Sequence, residues 1–303
     1  MATQDNVGSA TTSLKNHLSR CIETYYREVR IDYQIVWQNK NNLAFHFGYY
    51  DRHSLRSHSA ALQRTNDVLA NLAAIAAGHR VLDAGCGFGG SGFWLAEKRG
   101  AAVVGIANVE DSIRRARAIA RQRRGADAVC FLTADYLNMP FPDGCFDVVW
   151  ALESLCHADD KPRFYGEANR VLRPGGRLVV AEYMRRTRDI GASEAAIVSE
   201  WLRGWAIPDL DTGEEHYAAA ERAGFSGIVL SDATRHTRRS LAKLHRRAIA
   251  AYPVNWSLRR LGLRTEAQYW NVIASRRQYQ ALRYDSWFYG ILSATKPKSR
   301  GQV

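Results

Sequence analysis

Apolar residues change rhythm twice along this chain. From Leu14 to Val29, and again from Leu62 to Ala77, they recur at helical spacing. Between residues 80 and 183, short apolar runs alternate with amphipathic stretches. The runs at 80–84, 102–106, 128–133, 146–151 and 177–183 read as buried parallel strands, with helices at about 90–98, 111–122 and 161–171 between them. Pro174-Gly175-Gly176 marks a turn before the last of these strands. After Tyr183 helical periodicity dominates, at about 193–204, 214–223, 237–251 and 264–283, with a short strand near 227–231 and a final one at Tyr289–Thr295. The pattern predicts an α/β fold built on a doubly wound, seven-stranded sheet. The late helices would then form a lid over the C-terminal edge of the strands, where open sheets bind their ligands. The expected division is a helical, aromatic cap (1–64), an α/β core that binds a cofactor (65–185), a helical lid holding one core strand (186–285), and a last strand with a basic tail (286–303). No repeat or low-complexity tract interrupts it.

The junction of the first strand and helix carries the sharpest chemistry. Arg80-Val-Leu-Asp83 runs into Ala-Gly85-Cys-Gly87-Phe-Gly89-Gly90, a strand, a glycine-dense turn and a helix start. Glycines let the backbone turn tightly and come close to a ligand. The spacing Gly85-x-Gly87-x-x-Gly90 also fits a dinucleotide fingerprint. A pyrophosphate, however, is repelled by an acid beside its helix N-terminus, and Asp83 stands two residues before the first glycine. The second strand ends in Ala107-Asn108 where an NAD ribose would meet an acid. Both details favour S-adenosylmethionine, a cation without phosphate.

Composition narrows the picture further. The 303 residues carry a net charge of +12, with 46% apolar residues. That charge fits an arginine-rich solvated surface, an anionic small substrate or nucleic acid. No nucleic-acid motif accompanies it, so nucleic acid is disfavoured as a partner. The five cysteines have no ligand-like pairing with histidine, so no metal is expected. Residues 1–15 lack the apolar core of a signal peptide, and no apolar run reaches the length of a membrane span, which predicts a cytoplasmic protein. A homo-oligomer is compatible with the sequence.

Three blocks resemble the motifs of class I S-adenosylmethionine-dependent methyltransferases: Val81-Leu-Asp-Ala-Gly-Cys-Gly-Phe-Gly-Gly90, Asp135 through Asp147, and Val171-Leu-Arg-Pro-Gly-Gly-Arg177. The likeness covers about 65–185. Glu153-Ser-Leu-Cys-His157-Ala is similar to a block of the sterol 24-C-methyltransferases, as is Phe45-His46-Phe47-Gly48 upstream, and Tyr289-Gly-Ile-Leu resembles the ends of tocopherol-type enzymes. The resemblance implies that Asp83, Gly85 and Gly87 line the amino-acid and ribose part of the cofactor. Asn108 would take the place of the usual ribose-binding acid, and Asp135 would accept from the adenine amine with Tyr136 beside it. A turn cap is the plainer reading of Asp135.

Methyl transfer needs aligned partners and a site closed to water. An oxygen or nitrogen acceptor often needs a base. An alkene attacks with its π electrons and leaves a carbocation, which needs aromatic faces and then a base. The chain has 8 Trp and 14 Tyr. Tyr25, Tyr26, Tyr33, Trp37, Phe45, Tyr49 and Tyr50 precede the glycine turn, and Trp201 and Trp205 fall in the lid, although aromatics at helical spacing also pack cores. Glu153 is the candidate base and His157 a second proton acceptor or orienter; the plainer readings are a carboxylate on a backbone N–H and a satisfied core histidine. Glu182 is a second carboxylate at the ligand edge. Tyr25, Tyr26, Tyr50, Glu182, Arg186 and Trp201 are the candidate substrate contacts, with Arg185, Arg186 and Arg203 as holders of an anionic group. The expected activity is methylation of a small hydrophobic natural product, best read as C-methylation of an isoprenoid alkene, with a prenyl diphosphate as one option. O- or N-methylation of an aromatic or alkaloid-like molecule is the first rival. A nucleic-acid methyltransferase or RNA-binding protein is the second, and a binding module without catalysis the third.

Overall fold

A computed structural model describes residues 22–29, 32, 43–55, 57–123 and 126–298. Residues 14–21 of the first expected helix, Tyr33, Trp37 and the last five residues of the tail lie outside the described residues. Residues 22–29 are helical (α1). There follow α2 (His58–Leu72), β1 (Arg80–Ala84), α3 (Gly90–Arg99), β2 (Ala102–Ala107), α4 (Glu110–Gln122), β3 (Val129–Thr133), β4 (Phe146–Leu152), α5 (Lys161–Val171) and β5 (Leu172–Arg185). The second half holds α6 (Ala192–Gly204), α7 (Gly213–Arg222), β6 (Ser226–Asp232), α8 (Thr234–Arg260), α9 (Glu266–Arg283) and β7 (Trp287–Thr295).

The seven strands form one sheet in the order β3-β2-β1-β4-β5-β7-β6. β1 to β5 pair in parallel, whereas β7 runs antiparallel to both β5 and β6. Period-two alternation splits the core between the faces. Val148 and Trp150 of β4 join one apolar cluster with residues of α3 and α4, and Val149 and Ala151 join the other with residues of α5 and α7. The helices start where the sequence offers acceptors. Asp160 accepts from Arg163 N at α5, and Thr212 with Glu215 and Thr265 with Gln268 form capping boxes at α7 and α9.

Three expectations need correction. The second helix spans 58–72 rather than 62–77, because Ser57 caps it early and Ala74 turns into the left-handed region at φ 44°. Pro174-Gly175-Gly176 lies inside the extended run of β5, as a bulge where the β4 pairing jumps from Phe146–Leu172 to Val148–Arg177. The helix expected at 237–251 spans Thr234–Arg260 and runs through Pro253. The carbonyl that the proline leaves unpaired belongs to Ile249, half exposed, where water can bind it.

The lid is made of α6, α8 and α9, inserted before and after β6. Trp205, just beyond α6, and the start of α8 close over the strand ends. Gly48 N donates to Ser240 Oγ, and Tyr50 N to His236 O, so α8 holds the 43–50 segment against the sheet.

Candidate active site

Five strand ends, the 43–48 segment, α1 and the turn after α6 enclose a cavity of about 1440 Å3, counting its open mouth. At its floor lies the glycine turn. Gly85 has φ +95°, and a Cβ there would stand 2.2 Å from Ser154 Cβ, so only glycine lets the β1 and β4 ends come together. Ser154 Oγ donates to Ala84 O across this seam.

Asp83, Gly85, Gly87, Asn108 and Tyr136 all line the cavity. Asp83 is buried, its Oδ2 has no hydrogen-bond partner among the described residues, and burial pushes its pKa up to about 7. A carboxyl stripped of water with an oxygen to spare is complementary to a ligand ammonium. The residues present therefore fit a cationic amino-acid cofactor. Tyr136 donates to Ser154 O. Asp135 is exposed beyond β3, outside the cavity lining, and its Oδ1 accepts from Leu137 N as a turn cap.

Glu153 and His157 face the same cavity from the end of β4. Glu153 takes a left-handed backbone, φ 50°, which is costly for a residue with a Cβ. Its carboxyl is held from three distant segments: Phe47 N at 2.6 Å, Tyr289 Oη at 2.8 Å and Tyr183 Oη at 2.5 Å. Burial, only partly countered by these donors, pushes its pKa up to about 8. His157 is held near pKa 4 by burial and is neutral. Its Nδ1 lies 3.3 Å from Ala206 O and must carry the proton, so Nε2 accepts from Tyr26 Oη at 2.9 Å.

Of the six expected substrate contacts, Tyr26 alone is in the lining. Tyr25 is buried and donates to Asn271 Oδ1 on α9. Tyr50 bonds His58, outside the cavity. Trp201 is fully buried among Tyr183, Trp205 and Trp287. Glu182 is fully buried behind the wall, accepting from Cys156 N and Tyr183 N, and so fixes the turn that bears His157. Arg186 pairs with Asp232 and Asp285 and packs on Phe288. Arg185 pairs with Asp209, and Arg203 stacks on Trp270. Arg27, exposed at the mouth, is the one lysine or arginine of the described lining.

The lining adds groups the sequence did not single out: His46, Phe88, Tyr183 and Ile207. His46 is neutral, its pKa lowered to about 4 by burial; Nδ1 reaches Phe47 O, and Nε2 has no partner among the described residues. The Phe-His-Phe-Gly element was the signal for His46. Nothing local marks Tyr183 as a partner of Glu153.

Comparison with known proteins places these features. A methyltransferase domain model matches residues 82–180. A 27-O-demethylrifamycin SV methyltransferase from Amycolatopsis mediterranei is 35% identical over 210 residues, covering 65% of this chain and 72% of that protein. A sterol 24-C-methyltransferase from Eremothecium gossypii is 36% identical over 211 residues, covering 69% of this chain and 55% of that longer protein. Among solved structures, the [4+2]-cyclase SpnF superposes with a TM-score of 0.76 at 25% identity, covering 92% of this chain and 96% of that one.

Proposed function

From the premise that the chain belongs to the class I S-adenosylmethionine-dependent methyltransferases, we propose that it C-methylates an isoprenoid alkene. One observation carries the reading. Glu153 presents a desolvated carboxyl to an aromatic-walled cavity, with hydrogen-bond donors on both oxygens and no cationic partner among the described residues. A site built this way lacks a positive charge, and a carbocation supplies one.

S-adenosylmethionine, when bound, supplies an electrophilic methyl on a sulfonium. Asp83 and the Gly85–Gly87 backbone would hold its amino-acid and ribose parts. The alkene's π electrons would form the new C–C bond as the methyl–sulfur bond breaks and its electron pair goes to sulfur, leaving positive charge on the neighbouring alkene carbon. Tyr26, Phe45, Phe88, Tyr136, Tyr183 and Trp205 supply electron-rich rings around it. The positive charge of the bound sulfonium would favour loss of the Glu153 proton to solvent before transfer, leaving a carboxylate to act as base. Glu153 then accepts a proton from the adjacent carbon, and the C–H electrons form the new double bond. Arg27 would meet any anionic group of the acceptor, and only at the mouth.

His157 supports a second reading. A neutral imidazole whose Nε2 accepts from Tyr26 Oη can take a substrate hydroxyl proton once that hydroxyl displaces or relays through Tyr26, which would give O-methylation, the chemistry named for the rifamycin relative. A labelled-methyl assay over prenyl diphosphates, sterols and phenols, run with Glu153→Gln and His157→Gln, separates the two. C-methylation predicts label in the alkenes and a turnover about 10²–10⁴-fold lower in Glu153→Gln. Label confined to phenols, with Glu153→Gln active and His157→Gln dead, overturns it.

A further inference from the structure

α8 has a surface that methyl transfer does not use. The helix carries eight lysines and arginines and no acid. Positions 235, 239, 242, 246, 249, 253, 256 and 260 alternate steps of four and three, and so share one face. The first half of that face carries Arg235, Arg239 and Arg246; the second carries Ile249, Pro253 and Trp256. Ile249 is 50% exposed, Trp256 45%, and at the tip beyond the helix Leu261 is 70% and Leu263 69% exposed. No carboxylate among the described residues pairs with Arg235, Arg238, Arg239, Arg246 or Arg260, and Arg260 stacks on Trp256. The acids near the tip, Glu266 and Asp32, are taken by Arg259 and Arg264.

A cleft opens beside this face, lined by His245, Ile249, Tyr252, Arg276 and Arg283 among others, with Glu200, the one carboxylate of the described lining, paired to Arg277. Arg276 lies over Tyr252, and His245 Nδ1 has no partner among the described residues. Unpaired cations in a cleft next to exposed aliphatic side chains match a phosphate headgroup above an acyl layer. Nucleic acid would use the arginines but leave Val254, Leu261 and Leu263 in water. α1 ties this end of the lid to the cavity, since Tyr25 bonds Asn271 of α9 while its neighbour Tyr26 lines the cavity.

We propose that the exposed face of α8 and the 261–263 tip dock on an anionic lipid bilayer. The arginines lie against phosphate headgroups, while Trp256, Leu261 and Leu263 sit in the interfacial layer. The docked lid puts the cavity mouth near the bilayer, from which an apolar molecule can enter.

Sedimentation of the full chain with phosphatidylcholine vesicles, with and without about 30% phosphatidylglycerol, tests this directly and needs no turnover, so its failure is separable from failure of the methylation reading. Binding is expected only to the anionic vesicles and to weaken with salt. Trp256→Ser/Leu261→Ser/Leu263→Ser keeps the charge yet is expected to bind more than about ten-fold more weakly, and Arg238→Glu/Arg246→Glu likewise. Unchanged thermal melts show that both variants fold. Equal binding to neutral vesicles, no vesicle binding, or salt-sensitive RNA binding that persists in the apolar triple variant overturns the proposal.

Discussion

Replacing Glu153 with Gln makes a sharp prediction about stability as well as turnover. The folded chain raises this carboxyl from 4.5 to about 8, chiefly by taking it out of water. The folded state therefore holds the proton more tightly than the unfolded chain does. The stabilising contribution of Glu153 is complete below pH 4.5 and is lost progressively as pH rises to about 8, beyond which it stays constant. Each pH unit in that window is worth about 1.4 kcal/mol, so the whole window is worth at most about 5 kcal/mol. Water in the cavity beside the carboxyl makes this a ceiling. Gln is uncharged at every pH and offers the same geometry as the protonated acid: an oxygen for Phe47 N and Tyr289, and a donor toward Tyr183. The two chains should be close in stability near pH 5, with Glu153→Gln gaining a few kcal/mol by about pH 8.5. Asp83, also raised to about 7, is present in both chains and cancels, whereas Glu182, whose charge adds to the rise at Glu153, is part of the difference measured. Urea titrations at the two pH values measure the difference. A stability gap that stays constant within about 1 kcal/mol across the window would refute the argument that Glu153 is a desolvated carboxyl without a counter-charge.

Other outcomes follow from the same geometry. Cofactor affinity, read by calorimetry, should rise with pH up to about 7, where Asp83 ionises, and Asp83→Asn should flatten that slope. Gly85→Ala should destabilise the chain by about 1–3 kcal/mol and abolish thermal stabilisation by S-adenosylhomocysteine, because its Cβ meets Ser154 and its φ is positive. Arg27→Ala should raise KM for a diphosphate-bearing acceptor and leave that for a neutral alkene unchanged. Arg186→Ala should alter neither, with a stability loss under about 1 kcal/mol, since its partners are half exposed.

The cofactor half of the site was legible because its requirements are local. A strand, an acid and four glycines within six residues leave few alternatives, and the structure brings Asp83, Gly85, Gly87, Asn108 and Tyr136 into one cavity while Asp135 stays outside its lining. The acceptor half was not, because its contacts join distant segments. Tyr25 and Trp201 lie on helices whose aromatic spacing is the same whether a ring faces core or cavity, and both face core. Arg186 found Asp232 and Asp285, which are 46 and 99 residues away. Glu153 was singled out by its short motif, but its positive φ and its tyrosine partners depend on how β5 and β7 pack.

The antiparallel insertion of β7 between β5 and β6 has a consequence for synthesis. Phe47 leaves the ribosome before Glu153 and Tyr183, and Tyr289 of β7 comes after all three. Until β7 slots in, the carboxyl lacks one of its three ligands, and β5 and β6 have no common neighbour to pair with.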